Sequence, residues 1–94
     1  MSRAGVGFEQ MKAELMDDEA FQIEYERLRP RYEMIRQIIE SRIEGNITQE
    51  ELARRIGTQK SNISRLESGN YNPTVDFLIR VAEGLGKELK IEFK

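Results

Sequence analysis

The chain has 94 residues, enough for one compact core and too few for two. It contains no Cys, His or Trp, which excludes a disulfide framework, a Cys/His zinc site, a His general base and a Cys nucleophile. Its 15 basic and 17 acidic residues leave a net charge of −2, and they are unevenly placed: residues 1–30 carry four basic and seven acidic groups, residues 31–94 eleven and ten.

Residues 1–7 contain two glycines and little to bury, and are expected to lack order. A helical period then begins with Phe8, Met11 and Leu15. Asp17 or Asp18 suits the N-cap of a second helix, which presents Phe21, Tyr25 and Leu28 at spacings of four and three. Pro30 is expected to interrupt that helix or to open the next one in its first turn.

From Arg31 to Glu44, Tyr32, Ile35, Ile38, Ile39, Arg42 and Ile43 fall mostly on one helical stripe, ended by Gly45-Asn46. Thr48-Gln49-Glu50-Glu51 reads as a capping box for a helix that runs to Ile56 and stops at Gly57. The next helix is expected from about Gln59, capped by Thr58, to Ser68-Gly69. Asn70-Tyr71-Asn72-Pro73 reads as a loop. Thr74 caps a last helix with Asp76 in its first turn; Phe77, Leu78, Val81, Ala82 and Leu85 form its apolar face and Gly86 ends it. Glu88-Leu89-Lys90-Ile91-Glu92-Phe93-Lys94 alternates polar and apolar with period two, the pattern of a strand with one buried face.

The two helices around Gly57 meet the demands of a helix-turn-helix. That motif needs a small residue on its first helix where the second crosses (Ala53) and a turn residue that accepts positive φ (Gly57). Leu52, Ile56, Ile63 and Leu66 supply the apolar lock. The expectation is DNA binding, with Lys60 and Arg65 suited to guanine O6 and N7 and Ser61 or Asn62 to phosphates or bases. Arg54 and Arg55 read as a solvated face or as a source of weak phosphate attraction. Nothing in the sequence forms a catalytic constellation, so neither an enzyme, a cofactor nor a small-molecule substrate is expected. No apolar run is long enough to span a bilayer, no signal-peptide pattern opens the chain, and a cytoplasmic location is expected.

The stretch T-Q-E-E-L-A-R-R-I-G-T-Q-K-S-N-I-S-R-L-E-S-G-N-Y-N-P-T resembles the XRE family of lambda-repressor-like domains over about residues 31–86. The resemblance implies an all-α bundle of five short helices or nearly so, with Gln59 to Ser68 as the recognition helix. It places Gln49 at a phosphate and Gln59, Lys60, Ser61 and Arg65 at base edges. It also implies an ion pair between Arg42 and Glu67 that is structural. The flanks, F-E-Q-M-K-A-E-L, D-x-E-A-F-Q-I-E-Y-E and G-K-E-L-K-I-E-F, are similar to HigA-type antitoxins. That similarity implies a ribonuclease toxin of the RelE/HigB type as partner and repression of the protein's own operon; a stand-alone XRE repressor is the alternative.

The expected organisation is therefore an N-terminal helical extension (1–30), a helix-turn-helix domain (31–86) and a C-terminal strand (87–94). Phe8, Phe21 and Tyr25 would form an apolar stripe on an acidic extension, suited to a basic partner protein. A lone strand leaves its backbone groups without ladder partners, so Leu89, Ile91 and Phe93 are expected to join two copies into a homodimer; pairing of the tail with residues 1–7 or with the toxin is the alternative.

Overall fold

The structure, a computed structural model, describes residues 18–94, which form four helices. They are α1 (Glu19–Glu44), α2 (Gln49–Ile56), α3 (Lys60–Ser68) and α4 (Val75–Gly84). The chain divides into two units, residues 1–30 and 31–94. The expectations for residues 1–7 and for Phe8, Met11, Leu15 and Asp17 lie outside the described residues. No described helix is long and apolar enough to cross a membrane.

In the first unit, Asp18 starts α1: its carboxylate accepts the backbone N–H of Phe21 at 3.1 Å, satisfying one of the amides a helix start leaves unpaired. Phe21, Tyr25 and Leu28 are half-buried while the residues between them are exposed, the alternation expected of a narrow apolar stripe. The Phe21 and Tyr25 rings sit 5.9 Å apart. The helix expected to break at Pro30 instead runs through it. Proline removes one backbone donor, but Glu, Arg, Leu and Met around it are good helix formers, and one α1 replaces the two helices expected.

The second unit is built on Leu52, Ile63, Leu66 and Val81, all essentially sealed from solvent, with Ile38, Ile47 and Ala53 completing the buried set. Met34, Ile56, Tyr71, Phe77, Leu78 and Leu85 pack around it. The stripe on α1 is narrower than its sequence indicates. Ile38 is buried, but Tyr32 and Ile43 are exposed, and Met34 takes a core-facing position.

Local signals set the helix boundaries. Thr48 accepts the Glu51 amide at 3.0 Å, and Thr74 accepts that of Phe77 at 3.0 Å. The reciprocal half of the capping box does not form: the Glu51 carboxylate turns to Arg54 and to Arg55 Nε at 3.1 Å. Thr58 does not cap α3 either. Gln59 occupies the N-cap without a side-chain bond, and Thr58 Oγ1 accepts from Asn62 Nδ2 at 2.7 Å.

Two glycines make the α2–α3 and α2–α4 junctions possible for different reasons. Gly57 has φ +74°, the left-handed region that a residue with a side chain reaches only at a cost. Gly84 is helical, but a Cβ there would stand 2.6 Å from Ile56 Cγ2 and 2.9 Å from Leu52 Cδ1, so α4 can approach α2 only at a residue without a side chain.

Residues 88–94 do not form the expected strand; the fold is all-α among the described residues. The reason is pairing. A strand exists by its ladder, and within these residues no second strand is present to supply one. Leu89 is half-buried, whereas Ile91 is 58% and Phe93 98% exposed. Lys87 Nζ lies 3.8 Å from Glu44 Oε1, placing the root of the tail beside the end of α1.

Candidate nucleic-acid interface

The surface of α3 follows from which of its side chains the core consumes. Ile63 and Leu66 are sealed, which turns Lys60, Ser61, Ser64, Arg65 and Ser68 outward; all five are exposed. The helix has one carboxylate, Glu67, and its side chain is only 6% exposed. The outward face of α3 is therefore cations and hydroxyls without an acid. That is the chemistry that reads base edges and phosphates in a major groove.

Glu67 is held inward by a converging set of donors. Arg42 reaches it from α1 through Nε at 2.8 Å and Nη2 at 3.0 Å, a two-point contact that matches guanidinium to carboxylate. Arg42 Nη1 donates to the Ile47 carbonyl at 3.0 Å. Gln49 Nε2 completes the cluster, donating to Glu67 Oε1 at 3.0 Å. The hydrogen bonds that Arg42 donates to Glu67 hold its guanidinium above its ordinary pKa despite partial burial. One N–H of the Gln49 amide remains after this bond, since a carboxamide carries two. Gln49 is half-buried at the start of α2, and its bond to Glu67 ties that end of α2 to the end of α3.

On α3 itself, Asn62 links its neighbours: it donates to Thr58 Oγ1 and accepts from Arg65 Nη2. It is half-buried, and both ends of its amide are engaged, so its placement is that of a brace under Arg65. Ser61 Oγ lies 3.5 Å from Gln59 Oε1, and both residues are exposed. Lys60 and Arg65 are exposed on the same helix, five residues apart. Ala53 and Ile63 are buried and Gly57 occupies the turn, as the motif demands. Phe21 and Tyr25 belong to the first unit, and Leu89, Ile91 and Phe93 to the tail of the second.

Sequence reading missed Arg31. Its guanidinium donates to the carbonyls of Gly69 at 3.4 Å and Tyr71 at 3.0 Å, and to Asn72 Oδ1. It thereby fixes the loop that leaves α3. These partners lie about forty residues away along the chain, and no local pattern announces them. Ile47, buried between α1 and α2, was missed for a similar reason: a single apolar residue in a turn has no period. Arg55 is exposed, as expected of a solvated face, and it also donates to the Gly84 carbonyl at 3.0 Å, joining α2 to α4.

This geometry agrees with comparison to known proteins. The family described as Helix-turn-helix (HTH_3) matches residues 35–91, more than half of the chain. The chain belongs to that helix-turn-helix family. The helix-turn-helix chain is 45% identical over 51 residues to an uncharacterized HTH-type transcriptional regulator of Methanothermobacter thermautotrophicus, covering 54% of this chain and 74% of that protein. An uncharacterized HTH-type transcriptional regulator of Archaeoglobus fulgidus is 44% identical over 45 residues, 48% of this chain and 63% of that one. Antitoxin HicB of Escherichia coli (strain K12) is 43% identical over 49 residues, 52% of this chain but 36% of HicB. No solved structure matches. Among the chain's helix-turn-helix elements, α2 and α3 are the pair that carries the DNA-binding motif.

Proposed function

We propose that this chain is a transcriptional regulator that binds operator DNA in a sequence-specific manner as a homodimer, with the outward face of α3 in the major groove. The observation that carries this reading is the inward turn of Glu67, which leaves α3 a face of Lys60, Ser61, Ser64, Arg65 and Ser68. Arg65 and Lys60 are the guanine readers, Gln59 and Ser61 reach adjacent edges or phosphates, and Gln49 donates its remaining amide N–H to a phosphate. Asn62 acts through Arg65. Residues 31–94 carry a formal charge of only +1, so a single copy attracts DNA weakly and two copies on a two-fold site double the phosphate contacts. The test is selection of bound sequences from a random duplex pool, followed by titration of the enriched and a scrambled duplex at fixed salt. The reading requires an enriched motif with two-fold symmetry; equal affinity for both duplexes would refute it.

A second reading extends the first: the regulator is the antitoxin of a type II pair, neutralises a basic RelE/HigB-type ribonuclease toxin and represses its own operon. Its support is the acidic first unit with the half-buried stripe of Phe21, Tyr25 and Leu28, to which Phe8 adds in sequence, and the similarity to the antitoxin HicB. Coexpression with the product of the adjacent gene tests it. Phe21→Asp with Tyr25→Asp should abolish both co-purification and protection of growth while leaving operator binding intact. Absence of any co-purifying neighbour from the wild-type chain would leave the stand-alone repressor.

A further inference from the structure

One antiparallel register pairs all seven residues of the tail and satisfies both of its faces. Residues 88–94 alternate Glu88, Lys90, Glu92 and Lys94 on one side with Leu89, Ile91 and Phe93 on the other. Lys90 Nζ and Glu92 Oε2 lie 3.2 Å apart, as two residues on one side of an extended segment can. The apolar side is left uncovered, most completely at Phe93. We propose that a second copy of this chain covers it, the two tails forming an antiparallel ribbon in the register centred on Ile91.

Charge and length together select that register: centring on Leu89 or Phe93 also matches opposite charges but leaves the far end of each tail without an apolar partner. In an antiparallel pair, residues directly opposite share a face. With Ile91 opposite Ile91 of the second copy, Lys90 faces Glu92 and Glu88 faces Lys94, each pair occurring twice. All four polar pairs are then of opposite sign. On the other face Leu89 meets Phe93, so a medium and a large side chain alternate along the seam. A slip of two residues centres the pair on Lys90 or on Glu92. The first sets Lys90 against itself and Glu88 against Glu92; the second sets Glu92 against itself and Lys90 against Lys94. A slip of one residue sets polar side chains against apolar ones. Parallel in-register pairing opposes every charge to its like. A parallel pair offset by two residues lacks a two-fold axis and does not close.

Lys87 lies beside Glu44 at the end of α1, so the ribbon would begin close to the helical part of each copy. This inference specifies how the two copies of the operator-binding reading join. Its test contains no DNA, so the two can fail separately.

Sedimentation of the full chain gives the dimer dissociation constant. Glu88→Lys with Glu92→Lys makes the tail wholly basic; Lys90→Glu with Lys94→Glu makes it wholly acidic. Each variant should dissociate at least about tenfold more readily than wild type, and an equimolar mixture should recover a heterodimer of near wild-type affinity. The chain has no cysteine, so Ile91→Cys provides a single thiol, which should oxidise to a cross-linked dimer faster than Lys90→Cys. Unaltered helical circular dichroism in each variant keeps the comparison one of association. Charge variants that self-associate as tightly as wild type, a mixture that forms no heterodimer, or faster cross-linking at position 90 than at 91 would each overturn the register.

Discussion

Glu67 accepts two hydrogen bonds from one edge of the Arg42 guanidinium, Nε at 2.8 Å and Nη2 at 3.0 Å, across 25 residues of sequence. With the Glu67 side chain 6% exposed and that of Arg42 16%, the pair stands mostly out of water. Breaking it from one side leaves a charge without a partner, which typically costs about 3–5 kcal/mol. Glu67→Ala and Arg42→Ala should each lower the free energy of urea unfolding by an amount of that order. Replacing both together, Arg42→Met with Glu67→Leu, should cost less than either single change, because no orphaned charge remains. Two single variants whose losses simply add in the double would show that the pair is not coupled.

Gly84→Ala and Gly57→Ala test two different requirements. At Gly84 the new methyl meets Ile56 and the fully buried Leu52, and overpacking of that kind costs about 1–3 kcal/mol. At Gly57 the space is open, with Arg80 Nη2 at 3.9 Å as the nearest atom, and the cost is the left-handed backbone alone, roughly 1–2 kcal/mol. The distinction is measurable: Ile56→Ala should partly rescue Gly84→Ala and should not rescue Gly57→Ala. Equal rescue of both would contradict the assignment.

Arg31→Ala removes donors from two carbonyls and a side-chain amide in the loop after α3. A loss of about 1–3 kcal/mol is expected. Amide hydrogen exchange should quicken in residues 69–72 before it does in the buried strip of α2. Unchanged exchange in the loop would mean that the loop holds itself.

Much of this was legible in the sequence because it is local. The cap at Thr48, the turn at Gly57 and the cap at Thr74 each declare themselves within four residues, and the apolar lock of Leu52, Ile63 and Leu66 repeats at helical spacing. Pro30 misled for the same reason: its local signal is strong, but the good helix formers around it outweigh the loss of one hydrogen bond. Arg31, Ile47 and Arg55 act across long sequence separations or from irregular segments, where periodicity is silent. The tail shows a further limit. Its alternation is a real strand pattern, but one chain supplies only half of a ladder.

The central claim is that the outward face of α3 reads DNA, and Arg65 is its sharpest probe. The guanidinium is exposed and contacts only Asn62 Oδ1 among the bonds described on α3, so its removal leaves the core untouched. Binding of the selected operator to wild type and to Arg65→Ala should be measured at one salt concentration, beside the thermal midpoint of each protein. The account predicts a loss of about 1–3 kcal/mol in operator affinity, concentrated at one base position, with the midpoint essentially unchanged. Full operator affinity in Arg65→Ala, or a lowered midpoint that accounts for all of the loss, would contradict it.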